Sequence, residues 1–215
     1  MNLTVVSTGF RPPTRRICEA SVRVQTVKAR HIIADAAEQL PPKIITQNLY
    51  DTIGALDPDD VVVWLDADDW LAHDRVAERV IAMHDAGALV TYGQYITSDG
   101  QPGHCQAYVR HDYRREPWYA SHLKTFRAGL FQKLAPEDLQ LDGEWLSLAV
   151  DVAVMLPIME MAGPDRVLFC DEVLAVYHAP SSFEASASPE DRAREKMVEA
   201  RVRAKVRKER CARGI

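Results

Sequence analysis

Long apolar runs are missing from this chain. Its longest aliphatic and aromatic stretches, such as Val61 to Leu65, fall far short of the roughly 20 residues a membrane-spanning helix needs, so no span is expected. Cysteine is scarce. Cys18, Cys105, Cys170 and Cys211 form no C-x-x-C pair, which argues against both a zinc site and a disulfide framework and leaves reduced thiols in packing positions. The chain enters Leu3-Thr-Val-Val-Ser7 without a basic segment or a long apolar core, so no secretory signal is read and a cytoplasmic location is expected. There is no internal repeat, no low-complexity linker and no glycine-rich, lysine-containing phosphate loop.

What is present suffices for one sizeable globular domain: 215 residues, 47% of them hydrophobic. The formal charge of −5 is unevenly spread, because residues 190–215 hold ten Lys or Arg against five Asp or Glu. The tail is thus +5 and the remainder −10, which hints at an anionic partner for the tail, although exposed helices also carry such charge for solubility.

Strand and helix patterns alternate along the first half. Leu3 to Thr8 reads as a strand, Gly9-Phe-Arg-Pro-Pro13 as a turn, and Arg15 to Val27 as a helix. His31 to Asp35 is a second strand, and Ile45, Leu49, Ile53 and Leu56 recur at helical spacing. Val61 onward is a third strand, Trp70 to His84 a helix ending near Gly87, and Ala88 to Thr97 another strand. This order predicts an α/β fold, a mostly parallel central sheet flanked by helices. Beyond Gly103 the regularity fades: Gln106 to Arg110 suggests a short strand, His111 to Tyr119 an aromatic and basic loop, Ser147 to Met161 a helix kinked at Pro157, Arg166 to Tyr177 one or two strands, and the last segment a charged helix.

The most informative stretch is Val61-Val-Val-Trp-Leu-Asp-Ala-Asp-Asp-Trp-Leu71, where a buried strand runs into Asp66, Asp68 and Asp69. Ligands of open α/β sheets gather beyond the carboxyl ends of the strands, and two carboxylates one residue apart can hold a hard divalent cation. The plainer alternative is that Asp69 caps the following helix and its neighbours are solvated.

This segment resembles the D-x-D element of family 2 glycosyltransferases of the GT-A fold, small soluble enzymes encoded by bacteria and viruses. The resemblance covers roughly residues 3 to 178 and includes Arg16, Cys18, Ser21, Val22 and Gln25 of the first helix. It implies a metal-dependent, inverting hexosyl- or pentosyltransferase using a UDP-sugar with Mn2+ or Mg2+. Residues 1–180 would form the catalytic domain, with 1–100 binding the nucleotide-sugar and 101–180 the acceptor, and 181–215 a linker and basic helix. Asp68 would contact the metal, Asp66 the ribose or metal, and Thr8, Gly9, Arg11 and Asp35 the base and ribose. At Asp35 the chain departs from the family pattern, reading Ala34-Asp35-Ala36-Ala37, and a helix cap is an equal reading there.

Asp151, at the start of an apolar helix, matches the family's catalytic position and is the candidate base; a carboxylate favoured by the helix dipole is the alternative. Glu144 and Glu160 are lesser candidates. His178 ends the last strand where a late histidine would complete a metal shell. Trp118 to Phe131 resembles an S-H-L-[RK]-T-F element whose His122, Lys124 and Arg127 would grip phosphate or acceptor, unless Leu123, Phe126, Leu130 and Phe131 mark an ordinary amphipathic helix.

For the acceptor, the basic tail and the Arg114, Arg115, Trp118, Tyr119 cluster suggest hydroxymethylated pyrimidines in phage DNA, flipped into the cleft. A saccharide or protein acceptor, a nucleotidyltransferase of related fold and a non-catalytic binding module are the alternatives.

Overall fold

The computed structural model describes residues 2–9, 12–34, 42–179 and 187–211. The first half runs β1 (Leu3–Thr8), α1 (Pro12–Arg23), β2 (Arg30–Ile33), α2 (Pro42–Gly54), β3 (Val61–Asp66), β4 (Trp70–Leu71), α3 (Val76–Asp85) and β5 (Val90–Thr97). The second runs β6 (Lys124–Arg127), α4 (Ala128–Phe131), β7 (Gln140–Leu141), β8 (Glu144–Trp145), α5 (Val150–Ala162), β9 (Val167–Tyr177) and α6 (Pro189–Arg203). Among the described residues no helix is long and apolar enough to cross a membrane.

Seven strands form one sheet in the order β2-β1-β3-β6-β5-β9-β4, and β7 pairs with β8 apart from it. Five of the seven run the same way, while β6 and β4 run against them, so the expected parallel sheet carries one reversed strand in its middle and one at its edge. The reversed β6 enters between β3 and β5, pairing Val61 with Arg127 and Trp64 with Lys124. That reversal carries the segment preceding β6 to the end of the sheet where β3 delivers its acids.

β1 is buried throughout, and β3 is buried at every residue before Asp66, which accounts for their near-continuous apolar sequences. Alternation then divides the interior in two. Val62 and Trp64 of β3 join Leu49, Ile53, Phe126, Phe131 and the apolar residues of α5. Val61, Val63 and Leu65 join Cys18, Val22, Val80 and Met83 beneath α1 and α3. Each such Leu, Ile, Val or Phe contributes about 1.5–3 kcal/mol by leaving water. α5 is buried on nearly every side, as its all-round apolar sequence requires, and accommodates Pro157 inside the helix. α6 begins with a capping box: Ser188 Oγ accepts from the Asp191 amide at 3.1 Å, the Asp191 carboxylate accepts from the Ser188 amide at 3.2 Å, and Pro189 occupies the first turn.

Three local expectations differ from the fold. Trp70 does not begin a helix: Trp70 and Leu71 pair with Val176 and Ala175 of β9, and α3 starts at Val76. Gln106 to Arg110 forms no strand and is held by side chains, with the Tyr92 hydroxyl donating to the Gln106 carbonyl at 3.0 Å. The segment after Trp118 is not one amphipathic helix but β6 followed by the short α4.

Candidate active site

β1 and β3 end side by side, with Thr8 in register with Asp66. The Thr8 hydroxyl accepts from Trp64 Nε1 at 3.3 Å and donates to Asp66 Oδ1 at 3.0 Å, fixing the carboxylate at the strand tip. Gly9 then takes a φ of 89°, a left-handed bend that a side chain would strain, and the chain leaves toward α1. Ser21 of α1 and Gln25, just beyond its end, hold the segment between β3 and α3. Ser21 Oγ accepts from the Leu71 amide at 3.1 Å; Gln25 accepts from Ala77 N at 2.8 Å, in the first turn of α3, and donates to the His73 carbonyl at 2.8 Å. These polar residues at and just after the end of the first helix therefore brace the acidic turn.

In that turn the Asp69 amide bonds the Asp66 carbonyl at 3.0 Å, which folds Asp69 inward. Asp69 is 2% exposed. Its Oδ1 accepts from the His178 amide at 2.8 Å, and its Oδ2 lies 3.2 Å from His122 Nε2. Although the distance is short, His122 Nε2 has no hydrogen-bond partner, because the angles at that approach are wrong for one. The other ring nitrogen lies 3.3 Å from Ser121 Oγ. With the proton on that Nδ1, Nε2 presents a lone pair to the carboxylates.

Asp66, Asp69 and His122 thus bring ligand atoms within 4.8 Å of one another. Burial pushes both carboxyls above their ordinary range, Asp69 well above; the Asp68 charge raises both further, and the Asp66 charge adds to Asp69. Burial, with the Lys124 charge, pushes His122 well below its ordinary value and keeps the imidazole neutral. Two crowded carboxylates beside a neutral, unpartnered imidazole nitrogen fit a divalent cation, which would relieve the like-charge repulsion and fill the orphaned valence. The trio differs from the expected pair. Asp68 is half-buried and does not line the cavity, and successive strand residues point to opposite faces, so Tyr177 rather than His178 turns toward it. The His178 ring packs 6.2 Å from Trp70, and its amide serves Asp69.

A cavity of about 620 Å³ opens in front of these residues, walled by Thr8, Trp64, Asp66, His122, Lys124 and Tyr177 on the sheet side, by Thr46 and Leu49 of α2, and by Ser147 to Asp151 at the start of α5. Lys124 is 3% exposed, with its ammonium 4.4 Å over the Trp64 ring. Its charge favours the ionised form of Asp66. His122 and Lys124 are two positions apart and share a face. Arg127 lies on the other face and at the far end of β6, donating to the Asp59 carbonyl at 2.9 Å, so it does not reach the cavity.

Asp151 stands in the first turn of α5, after Ala149 turns the chain with a φ of 51°. Its Oδ1 accepts from the Val152 amide at 2.8 Å and its Oδ2 from Trp118 Nε1 at 2.9 Å. Trp118 lies behind Asp151, outside the cavity lining. Glu160 is not part of the site: it forms a buried ion pair with Arg114 at 2.5 Å. Glu144 is exposed in β8. Arg11 and Asp35 lie outside the described residues.

Much of the basic tail's charge is paired within the chain, on a largely exposed segment. Arg201 pairs with Asp142, Arg203 with Glu199, Arg207 with Asp112, Lys208 with Asp138 and Arg210 with Asp165. Lys205 Nζ donates to the Glu137, Asp138 and Gln140 carbonyls at 2.7–2.8 Å. Of the cations on which the DNA-acceptor expectation drew, these six of the tail's ten are engaged within the chain.

Sequence reasoning did not single out Asp69 as a ligand, nor Tyr95, Tyr177 and Thr46 as cavity walls. Alternation along Val176-Tyr-His178 was a signal for Tyr177, and Asp69 stood within the acidic stretch, where it read equally as a helix cap; nothing local marked Tyr95 or Thr46.

No protein-family model matches the chain, and no curated protein matches its sequence. Its fold matches solved structures of S. aureus TarS. TarS residues 1–349 in complex with UDP-GlcNAc align with a TM-score of 0.60 at 13% identity, over 94% of this chain and 66% of that one. The complex of the same fragment with UDP gives 0.57 at 12% identity, over 94% and 65%. The longer TarS structure gives 0.56 at 12%, over 93% of this chain and 39% of that one. This chain therefore spans somewhat less than two thirds of TarS 1–349. The likeness establishes the fold, a mixed α/β architecture with a seven-stranded sheet flanked by helices that this chain shares with TarS.

Proposed function

We propose that the protein is a glycosyltransferase that moves a sugar from a UDP-sugar to a hydroxyl acceptor with inversion at the anomeric carbon. The observation that carries this reading is the opposition of two carboxylates from different elements, Asp66 at the tip of β3 and Asp151 at the start of α5, across one cavity of about 620 Å³. A single-displacement transfer requires this division, with one side holding the donor diphosphate and the other receiving the acceptor's proton.

On the donor side, Thr8 and Gly9, with Arg11 and Asp35, bind the base and ribose. Asp66, Asp69 and His122 hold the divalent cation, with Asp68 adding charge beside them. When bound, the cation neutralises the diphosphate and favours its departure. Mn2+ matches the trio better than Mg2+, which prefers an all-oxygen shell. Lys124 supplies a further positive charge at the diphosphate, sheltered from water by Trp64. Its packing over Trp64 sets its charge beside Asp66 before the donor arrives.

On the acceptor side, Asp151 takes the proton of the attacking hydroxyl as its oxygen bonds the anomeric carbon and the bond to the leaving phosphate oxygen breaks. The start of α5 and Thr46 of α2 wall that side with small and apolar surface, which suits a saccharide hydroxyl entering edge-on. In this reading the donor side draws mainly on residues 1–100 together with His122 and Lys124, and the acceptor side on the start of α5 with Thr46. The enzyme works in the cytoplasm, where nucleotide-sugars are made.

Calorimetric titration with UDP tests the donor side. Binding that strengthens about tenfold or more with Mn2+ is expected; an absence of UDP binding with and without Mn2+ would remove the reading's foundation.

A further inference from the structure

We infer that Trp118 is the positioning residue of Asp151, and that the last helix sets Trp118 in place through Arg203. The inference rests on the reading of Asp151 as the base. The Asp151 carboxylate is held at both oxygens: Oδ1 by the Val152 amide at 2.8 Å and Oδ2 by Trp118 Nε1 at 2.9 Å. The first bond comes from the adjacent residue and leaves the carboxylate plane free to turn. The second comes from another segment and fixes that plane, leaving the remaining lone pairs for the cavity. An indole N–H donates but cannot accept, so Trp118 exchanges no proton with the reaction.

Trp118 belongs to the long connection between β5 and β6, which has no helix or strand of its own to hold it there. Its support comes from α6. The Arg203 guanidinium lies 6.0 Å from the centre of the indole ring, and its Nη1 donates to the Tyr113 carbonyl at 2.9 Å and the Glu116 carbonyl at 3.2 Å. Glu199, one turn earlier, holds Arg203 Nε at 2.7 Å. In return Arg114 of the same connection donates to the Val202, Arg203 and Lys205 carbonyls at the end of α6. The connection and the last helix are therefore clasped from both sides. The chain from Glu199 through Arg203 and Trp118 ends on the carboxylate that faces the acceptor. Trp118 itself does not line the cavity. Its loss acts on the chemical step and leaves the donor subsite alone.

The experiment is steady-state kinetics with calorimetric UDP binding on Trp118→Phe, Arg203→Met and Asp151→Asn, and on Trp118→Phe combined with Asp151→Asn. Trp118→Phe is expected to lower kcat about 10- to 100-fold, with donor KM and UDP affinity within about twofold of the parent. Arg203→Met lowers the same parameter by less, from a site remote from the cavity. In the Asp151→Asn background Trp118→Phe adds nothing, because the group it orients is gone. Full activity in Trp118→Phe beside an inactive Asp151→Asn would overturn the inference. So would a loss of UDP binding equal to the loss of kcat, or an undiminished effect in the Asp151→Asn background. Undiminished turnover in Asp151→Asn would remove the reading of Asp151 itself, whatever Trp118→Phe does.

Discussion

Asp69 Oδ2 and His122 Nε2 lie 3.2 Å apart, and neither a hydrogen bond nor water-exposed surface satisfies the imidazole nitrogen. The two residues come from a turn after β3 and from the segment entering the reversed strand β6. A cation between them and Asp66 resolves what the protein alone leaves open. His122→Phe keeps a ring between Tyr95 and Tyr177 and removes the ligand, and Mn2+ affinity measured by electron paramagnetic resonance is expected to fall about tenfold or more while the thermal midpoint stays close to the parent's. Equal Mn2+ affinity in the variant would show that the trio does not bind the ion.

Lys124 is buried beside Trp64 and biases Asp66 toward its ionised form. Lys124→Met preserves length and approximate volume while deleting the charge. A charge-assisted bond to phosphate contributes about 1.5–3 kcal/mol, so UDP affinity by calorimetry is expected to drop about 10- to 100-fold. Unchanged affinity would assign Lys124 to packing alone.

His84 makes stability depend on pH. It is 2% exposed, its Nε2 lies 2.8 Å from Thr125 Oγ1, and burial, with the Arg127 guanidinium, lowers its pKa from 6.5 to about 4. Between those values the unfolded chain takes up a proton that the folded chain refuses, so stability falls as pH drops through the window and is fully recovered above it. The shift corresponds to about 3 kcal/mol over the whole window and about 2 kcal/mol between pH 7 and pH 5. His84→Gln retains a donor for Thr125 and does not titrate; the difference in urea stability between pH 7 and pH 5 should shrink by that amount. An identical pH dependence in parent and variant would contradict the assignment.

Arg114 and Glu160 form an ion pair with side chains only 8% and 9% exposed, and Glu160 also accepts from the Lys208 amide at 3.0 Å. Breaking such a pair leaves one charge unpaired, so Arg114→Met is expected to cost about 3–5 kcal/mol in urea unfolding. Replacing both partners with Met removes the stranded charge and should cost less than Arg114→Met alone. A double variant as unstable as the sum of the singles would show that the pair is not what the buried site requires.

The internal pairing of the tail bears on nucleic acid. Because six of its cations meet carboxylates and carbonyls of their own chain, binding of a hydroxymethylcytosine duplex, followed by fluorescence anisotropy, is expected to be weak, with a shallow dependence on salt. A fall in log K with log salt of several units would mean that the tail releases its internal partners and neutralises phosphates instead.

The parts of this molecule that were legible in the sequence are those set by short-range pattern. β1 and β3 are buried on both faces and announce themselves as apolar runs, and the acids at the end of β3 and at the start of α5 were placed by those runs. What escaped depends on partners far along the chain. Trp70 and Leu71 are a strand only because β9 lies beside them, and His122 joins Asp69 only because β6 enters the sheet reversed. The tail read as a free cationic surface since its partners, Asp112, Asp138, Asp142 and Asp165, are scattered through the second half and become neighbours only in the fold. Arg127 sits within a motif that looks contiguous, yet strand alternation and direction carry it to the opposite face and end from Lys124.

The central claim is that the cavity between Asp66 and Asp151 transfers a sugar. Its most direct test is nucleoside diphosphate release from a panel of nucleotide-sugars with Mn2+, each offered saccharide, protein and hydroxymethylated DNA acceptors, in the parent and in Asp151→Asn. Acceptor-stimulated release from one donor, lost in Asp151→Asn, is the predicted result; no release from any donor, or equal release from parent and variant, would contradict the account.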